Sequence, residues 1–404
     1  MADTTHSRTK DDIDDWIVSA ALEGADEQTI LTGVCERLNG LGCALLRVNA
    51  ANSLLDPTLD ARGVRWNRGL GGTEQDLPRT DDEDANRSWM RSPFYALVQS
   101  GERRLRRRLD ASYRRGEYPI LDELQDGGAT DYVAFVERLG GTLRIGEVQG
   151  LISSWTTDAP DGFSDAQLTL LARIQPALAL ALLLRTWHRT ARTLITTYLG
   201  ADAAERVLAG NIVRGQAEAI RAVVWYSDLA GFTRISETVR AEGMLALLND
   251  YAEVQVEAIE GHGGHVLKFI GDGMLAIFPH EDMTEACRRA LDAAGHVREL
   301  IVALNSRRAA SGLPVTDTHV ALHLGDVLYG NVGSPRRLDF TVLGPAVNEA
   351  ARIEALCGSL EQPVIVSSAF AEAAGAGRSR LVSLGRYAMK GVARPQELFT
   401  LDTP

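Results

Sequence analysis

The spacing of apolar residues divides the chain into segments of different period. Over residues 13–38 the apolar positions recur at helical spacing, and the stretch CALLRV that follows predicts a strand. Residues 59–102 are polar and charged, which favours a loop-rich region. Around residues 131–157, TDYVAFVERL and GEVQGLISSWTT alternate between apolar and polar positions as paired strands do. The first part of the chain is therefore predicted to be an α+β domain.

A long apolar segment follows these strands. Turn residues in DAPDGFS precede it, and Ser164 is the predicted N-cap. Residues 164–197 are apolar on more than one helical face, so we expect burial against their own domain and against a second copy of the chain. The stretch bounded by Gly200 and Gly210 predicts a short connecting helix.

Predicted strands in the last part of the chain end at polar residues. AVVWYSD predicts a buried strand ending at Asp228, and LAGFTRISE turns directly into a helix. HVLKFI and MLAIFP are strand-like, and the Gly-Asp-Gly between them predicts a tight turn that displays Asp272. Pro345 suits the first turn of a later helix, which places Asn348 and Arg352, four residues apart, on one face.

Length, charge and cysteine usage narrow the class of protein. A chain of 404 residues is too long for one ordinary domain, so two cores are expected. The formal net charge of −12 disfavours nonspecific binding to nucleic acid or an anionic membrane. The basic run at residues 103–115 is therefore interpreted as an amphipathic helix with a solvated arginine face. The 4 cysteines form no CxxC pair, which indicates neither a zinc site nor a disulfide framework and fits a reducing compartment.

The chain carries no pattern typical of export or of a membrane span. Its first residues, MADTTHSRTKDDIDDW, are polar and acidic where a signal peptide would have a positive charge and an apolar core. The most apolar stretch, residues 174–184, contains Pro176 and is well short of the ~20 residues that span a bilayer. We therefore predict a cytoplasmic protein without a membrane span.

Two aspartates are the first candidates for chemistry. A carboxylate at a strand end beside a helix N-terminus can hold a metal while free backbone N–H groups receive phosphate oxygens, although helix capping by Asp228 would explain the same position. Asp272 lies between glycines that permit close backbone approach, so the two aspartates could bind hard divalent cations together. Arg352, if it faces a phosphate, can neutralise charge that develops during transfer.

From Glu218 onwards the chain resembles the catalytic domain of class III nucleotidyl cyclases. The stretches YSDLAGFT, KFIGDG, GNVG and FTVLGPAVNEAARI occur in the order and with the separations of that family. The resemblance implies a ferredoxin-like βαββαβ fold and two Mg²⁺ or Mn²⁺ ions per active site, bound by Asp228 and Asp272. It implies that Asn348 and Arg352 act on the transition state. It also implies a head-to-tail homodimer, in which the aspartates of one subunit face the base-recognition and transition-state residues of the other.

The same resemblance assigns purine recognition to Lys268 and Thr341. Adenine presents an acceptor at N1 and a donor at N6, which a lysine donor and a threonine hydroxyl acceptor complement. Guanine presents a donor at N1 and an acceptor at O6, so Lys268 would lose its partner at N1. Guanylate cyclases of the family typically have an acidic residue at this position, and ATP is therefore the expected substrate.

The resemblance also assigns residues to the triphosphate. A backbone segment after the first strand would cradle the outer phosphates, and its first residue would add a metal ligand. These residues are Leu229, Ala230, Gly231, Phe232 and Thr233. Lys390 would contact a phosphate as well. His319 stands where many members have a phosphate-contacting arginine, a departure that bears on triphosphate affinity.

The N-terminal element order and the stretch GFSDAQLTLL resemble a GAF-type sensor domain. We therefore divide the α+β chain into a GAF-like domain at residues 1–163, a helical linker at 164–215 and a cyclase domain at 216–404. The expected function is an adenylate cyclase regulated by a small-molecule or protein signal at the N-terminal domain. The alternatives are a non-catalytic nucleotide-binding regulator that keeps the cyclase fold, and a guanylate cyclase.

Overall fold

A computed structural model describes residues 4–54, 59–78, 83–140, 150–389 and 395–402 of the chain. They form two compact units, Met1–Leu194 and Ile195–Pro404. The boundary between the units falls inside one continuous helix, Asp165–Leu199.

The N-terminal unit contains a six-stranded antiparallel sheet in the order β3-β2-β1-β6-β5-β4. Its strands are β1 Leu45–Ser53, β2 Leu59–Asn67, β3 Gly71–Pro78, β4 Arg104–Arg108, β5 Asp131–Arg138 and β6 Gly150–Thr157. Its helices are α1 Thr4–Leu22, α2 Glu27–Gly40, α3 Glu83–Met90, α4 Pro93–Ser100, α5 Pro119–Asp126 and α6 Asp165–Leu199. The predicted pairing of the strands now labelled β5 and β6 is confirmed.

Both faces of this sheet are buried at its inner strand β5. On β5, Val133 and Phe135 pack in one cluster with α1, α2 and α6, while Tyr132 and Ala134 pack in a second cluster with α4 and α5. Alternate residues of β5 therefore pack in two different cores, because successive side chains of a strand point to opposite faces of the sheet. The GAF-like interpretation of this unit stays a prediction.

The polar segment 59–102 is not loop-rich, and that expectation is wrong. It contains β2, β3, α3 and α4. β2 pairs with β1, so that Trp66 lies opposite Val48, and both Val64 and Trp66 are buried. These two apolar residues at alternate positions anchor β2 to the core. Pairing with both neighbouring strands also gives hydrogen-bond partners to the backbone of this otherwise polar strand.

The basic run 103–115 forms strand β4 and turns instead of the expected amphipathic helix. β4 pairs with β5 along its whole length. Its arginines meet carboxylates: an Arg106 guanidinium nitrogen lies 2.6 Å from Asp131 Oδ2, and one of Arg107 lies 2.6 Å from Glu117 Oε1. The four-residue spacing of leucines suggested a helix, but strand pairing and these ion pairs decide the local structure.

Asp131 joins three segments of the N-terminal unit. It is fully buried, and its Oδ2 accepts hydrogen bonds from Arg106 at 2.6 Å and from the Phe163 backbone N–H at 3.0 Å. We expect Asp131→Ala to lower the free energy of unfolding by about 3 kcal/mol, since it leaves these donors without an acceptor. Denaturant unfolding followed by circular dichroism measures this loss. Asp158→Ala is the matched control, because Asp158 pairs with Arg68 at the surface and should cost below about 1 kcal/mol. Equal losses would contradict the anchoring role of Asp131.

The predicted cap of α6 is confirmed. The Gln167 backbone N–H donates to Ser164 Oγ at 3.3 Å, and the Ser164 N–H donates to Gln167 Oε1 at 2.9 Å, a reciprocal capping box. Pro176 lies inside the helix. By length and composition alone α6 would pass as a membrane span, but more than half of its most apolar window is buried within the protein, as in a core helix.

The C-terminal unit has a mixed sheet in the order β13-β14-β12-β10-β7-β9-β8, with β11 paired to β10. Its strands are β7 Ala217–Leu229, β8 His265–Ile270, β9 Gly273–Pro279, β10 Thr318–Ser334, β11 Arg337–Leu343, β12 Val364–Ser367, β13 Leu381–Tyr387 and β14 Gln396–Leu401. Its helices are α7 Ala201–Leu208, α8 Phe232–Thr238, α9 Ala241–Gly261, α10 Met283–Ala310, α11 Pro345–Glu354, α12 Cys357–Leu360 and α13 Ser368–Ala373, with a 3-10 turn at Gly375–Arg380.

The expected α+β fold of this unit is confirmed. The chain order β7, α9, β8, β9, α10, β10 is a βαββαβ unit, and its strands lie in the spatial order β10-β7-β9-β8. Helices α9, α10 and α13 cover one face of the sheet, while α7 and α11 lie on the other. The predicted short helix between Gly200 and Gly210 is α7, and the Tyr329 hydroxyl donates to its Asp202 at 2.6 Å.

Candidate active site

The two predicted aspartates lie together at one end of the sheet. Asp228 is the penultimate residue of β7, and Asp272 is in the turn between β8 and β9, where β9 pairs with β7. Gly271 adopts φ +64°, and a Cβ on Gly273 would lie 2.2 Å from the Ser227 carbonyl oxygen. One glycine is therefore required by backbone conformation and the other by close approach. This turn brings the carboxyl groups of Asp228 and Asp272 into a hydrogen bond.

Burial dominates the electrostatics of this pair. It raises the pKa of Asp228 to about 7, and the hydrogen bond and charge of Asp272 add to the effect. Burial, followed by the charge of Asp272, likewise raises the pKa of Glu354 to about 7. Two adjacent carboxyl groups cannot both ionise at low cost unless a cation lies between them.

Sequence reasoning missed Glu354. It lies at the end of α11, four residues after Ala350, and Ala350 and Ile353 are fully buried. The helical period therefore places Glu354 towards the sheet, close enough for its charge to act on Asp228. An acidic residue on the buried side of a predicted helix was the signal available in the sequence.

The aspartate pair fits divalent cations that arrive with a nucleotide. In the described part of the chain no three His, Cys, Asp or Glu side chains form a metal-binding group. Mg²⁺ is usually held by one or two carboxylates together with waters and substrate phosphates, so such a group is not needed. Asp228 and Asp272 supply two carboxylates, and the hydrogen bond between them marks a position where a cation can replace a proton.

Lys268 and Thr341, the predicted purine-selecting pair, lie on β8 and β11. The Lys268 ammonium is 2.9 Å from Asp339 Oδ2. Asp339 precedes Thr341 by two residues on the same strand, so both side chains lie on one face. Thr341 is 3% exposed, and its hydroxyl oxygen has no hydrogen-bond partner among the described residues. Asp339 was not predicted, although the period of the strand could have pointed to it.

Asn348 and Arg352 lie on α11, and the helix with Pro345 in its first turn is confirmed. Asn348 is exposed and Arg352 is half-buried. Arg352 makes no hydrogen bond or ion pair with any residue that the structure describes. Its guanidinium is therefore available to an anion, for which the planar arrangement of its donors is well suited.

Residues 229–233 form the end of β7 and the first turn of α8. Gly231 adopts φ +66°, and no side chain of a described residue caps α8, so the first N–H groups of this helix have no partner within it. The Ala230 N–H differs, because it already donates to the Asp317 carbonyl at 2.8 Å. Lys390 lies outside the described residues.

His319 lies directly beside the aspartate pair. It is opposite Asp228 in the pairing of β10 with β7, and its Nδ1 is 3.9 Å from Glu354 Oε1. Burial lowers the pKa of His319, against the charge of Asp317, which raises it. The imidazole is thus disfavoured as a permanent cation beside the aspartate pair.

The candidate residues fall into two sets by their chemistry. Among the described residues, no hydrogen bond or ion pair joins the aspartate pair to Lys268, Asn348 or Arg352. The first set provides carboxylates, and the second provides amide and cationic side chains.

Comparison with known proteins defines the class. Residues 216–403 match the family described as the Adenylate and Guanylate cyclase catalytic domain. The C-terminal part of the chain belongs to this family, the class III nucleotidyl cyclases.

Two curated relatives are named adenylate cyclases. The adenylate cyclase of Anabaena cylindrica is 36% identical over 150 residues, which cover 36% of this chain and 29% of the relative. Adenylate cyclase 1 of Rhizobium meliloti is 35% identical over 149 residues, which cover 36% of this chain and 22% of the relative. The chain thus spans less than a third of the length of these relatives. Among solved structures, the adenylyl cyclase CyaB from P. aeruginosa is 24% identical with a TM-score of 0.43, covering 47% of this chain and 97% of that chain.

Proposed function

We propose that the protein is an adenylate cyclase, which converts ATP into 3′,5′-cyclic AMP and pyrophosphate. The observation that carries this proposal is the hydrogen-bonded pair Asp228 and Asp272 at the end of β7, a donor set suited to cations bound by a triphosphate. Membership of the cyclase family supports the reaction class, and the names of the two curated relatives support ATP.

In this reaction the ribose 3′-oxygen loses its proton and bonds to the α-phosphorus. The bond from that phosphorus to the oxygen that bridges it to the β-phosphorus breaks, and pyrophosphate leaves with this oxygen. Two bound Mg²⁺ or Mn²⁺ ions would lower the pKa of the 3′-hydroxyl and neutralise the triphosphate. Asp228 and Asp272 would hold these ions, with the Leu229 main chain beside them. Arg352 would stabilise charge on the transferring phosphorus, and Asn348 would orient the ribose.

We propose a homodimer in which each active site takes the aspartates of one subunit and the base-reading and transition-state residues of the other. Apolar residues around Thr341 support this arrangement: Leu328 lies opposite Leu343 in the β10–β11 pairing, and they are 52% and 45% exposed. A second copy would remove these side chains from water.

Lys268 and Asp339 together present a donor beside an acceptor. Adenine fits with N1 accepting from Lys268 and N6 donating to Thr341 or Asp339. Guanine also fits if O6 accepts from Lys268 and N1–H donates to Asp339, which is the observation that favours a guanylate cyclase as the second candidate. The buried Thr341 hydroxyl has no hydrogen-bond partner among the described residues, and it fits adenine because its oxygen can accept from N6.

The purified chain with Mn²⁺ should form cyclic AMP faster than cyclic GMP. Lys268→Ala should lower kcat/KM for ATP about 10- to 100-fold, the loss of one or two charge-assisted hydrogen bonds. Asp339→Ala should keep most of the ATP activity, because Thr341 remains to accept from N6. Arg337→Ala, an exposed cation on the same strand, is the matched control and should change kcat/KM less than about 2-fold.

The alternatives give different results in the same assay. Faster turnover of GTP than of ATP would identify a guanylate cyclase. If neither cyclic product forms at any metal or protein concentration, a non-catalytic nucleotide-binding regulator is the better interpretation. We further propose that residues 1–163 act as a GAF-like sensor in a cytoplasmic protein, and that residues 164–215 link it to the cyclase domain.

A further inference from the structure

One face of the N-terminal sheet changes from apolar to cationic across its strands. The pairing places Tyr132 opposite Thr156, and Thr156 opposite Arg47. Asn49, two residues after Arg47, lies opposite Arg65 on β2. Residues that are opposite each other, or two apart on one strand, share a face of the sheet. Tyr132 packs with α4 and α5, whereas both arginines are half-buried, so they lie on the partly open part of this face.

The two arginines are close enough to repel each other. Burial lowers the pKa of Arg65, and the charge of Arg47 lowers it further, while the charge of Glu123 raises it. Arg65 Nε donates to Asn49 Oδ1 at 2.9 Å, and no carboxylate of a described residue forms an ion pair with Arg65. Arg47 is 2.9 Å from Glu123 Oε1, but Glu123 is 67% exposed, so this pair contributes little to stability. Two cations thus share one weakly bound carboxylate.

Two buried polar atoms on this face lack partners. They are Nε of Arg47 and the hydroxyl oxygen of Thr156, and neither forms a hydrogen bond with a described residue. Thr156 as a whole is 1% exposed. A buried polar group without a partner is costly, and both of these groups can donate a hydrogen bond. The face therefore has unused donors beside two positive charges.

We propose that Arg47, Arg65 and Thr156 form a binding site for a small oxyanion, the phosphate or carboxylate group of a metabolite. Each planar guanidinium can give two parallel hydrogen bonds to such a group, and the Thr156 hydroxyl adds another donor. On binding, Arg47 exchanges its surface partner Glu123 for the anion. The proposal rests on the proposed sensor role of residues 1–163 and gives the chemical class of its signal.

A small molecule fits this surface better than a polyanion does. The next pair along the two strands is Ala51 opposite Gly63, so little side-chain volume stands beside the arginines. This leaves room over the sheet for the uncharged part of a metabolite. A nucleic acid would instead need a long run of cations, and the chain has a formal net charge of −12.

Titration calorimetry of the full chain with inorganic phosphate and with succinate tests the site. At constant ionic strength in metal-free buffer, the better anion should bind with a dissociation constant of about 1 mM. Metal-free buffer is used because phosphate at the aspartate pair would bind together with cations. Arg47→Ala and Arg65→Ala should each weaken binding at least about 10-fold. Arg68→Ala is the matched control, since Arg68 is exposed and pairs with Asp158, and should change affinity less than about 2-fold.

Two variants that keep the side-chain shape test the roles of the neighbouring groups. Glu123→Gln removes the carboxylate that competes for Arg47, so it should strengthen binding about 3-fold or more. Thr156→Val removes only the hydroxyl and should weaken binding about 3- to 10-fold. A purely structural role of Arg47 would not make Glu123→Gln bind the anion more tightly. Circular dichroism spectra like that of the wild type show that each variant is folded.

The outcomes separate the site from its role. No binding of either anion, unchanged affinity in Arg47→Ala and Arg65→Ala, an equal loss in Arg68→Ala, or weaker binding in Glu123→Gln would each overturn the proposal. Tighter binding of phosphate than of succinate would identify phosphorylated metabolites as the ligand class, and the reverse would identify carboxylates. Either preference supports the site.

The rate of cyclic AMP formation tests the sensor role separately. The better anion should change this rate about 5-fold or more in the wild type, beyond any change in Arg65→Ala. The calorimetric test needs no nucleotide. Binding without such a change in rate would therefore leave the site in place and overturn the proposed sensor role alone.

Discussion

Asp228→Ala and Asp272→Ala should each lower kcat for cyclic AMP formation by about 10³-fold or more, the scale reached when a charge-stabilising group is lost from phosphoryl transfer. Each change removes one of two carboxylates that share a hydrogen bond at the end of β7. The remaining carboxylate cannot hold two cations against a triphosphate. Initial rates with saturating Mn²⁺ and ATP measure the effect. Near-normal turnover in either variant would show that the metal assignment is wrong.

Asp228→Asn is the control that separates lost chemistry from lost folding. The pKa of Asp228 is raised by burial to about 7, above its ordinary value of 3.8, so the proton on this group stabilises the metal-free folded state. That stabilisation is complete when the pH is below the ordinary pKa of 3.8, and it is lost as the pH rises through about 7. Asparagine has no proton to lose. At pH 8 with chelator, Asp228→Asn should therefore unfold at a temperature no lower than the wild type while remaining inactive.

Mixing inactive Asp228→Ala chains with inactive Arg352→Ala chains should restore activity. In a mixed dimer one active site takes its aspartates from the Arg352→Ala chain and its arginine from the Asp228→Ala chain, so neither defect is present. With random exchange half of the dimers are mixed and half of their sites are intact, which gives about a quarter of wild-type activity. The rate of cyclic AMP formation after subunit exchange measures this recovery.

A mixture of Asp228→Ala and Asp272→Ala chains is the matched control. Both changes affect the aspartate set, so every site in a mixed dimer keeps one defect and no activity should return. Failure of the first mixture, with exchange proven by differently tagged chains, would place the whole active site within one chain.

The sequence by itself determined the features that depend on short-range chemistry. Gly-Asp-Gly between two strand-like runs fixed the turn that displays Asp272, since the backbone there requires φ +64° at Gly271. The Ser164 cap was readable because its partner, Gln167, lies three residues away. The spacing of Asn348 and Arg352 followed from the helical period after Pro345. Each of these features is set by residues within one turn or one hairpin.

Only the tertiary structure decided which polar residues meet across long separations. Lys268 and Asp339 are 71 positions apart, and their contact requires β8 and β11 to lie side by side. Glu354 acts on Asp228 only because α11 packs on the sheet beside β7. The sequence of β4 alone predicts a helix, and the segment forms a strand whose arginines make ion pairs with carboxylates on other segments. The local pattern of apolar and polar residues does not predict such side-chain pairs. Their stability comes from burial and charge between elements that are distant in the sequence.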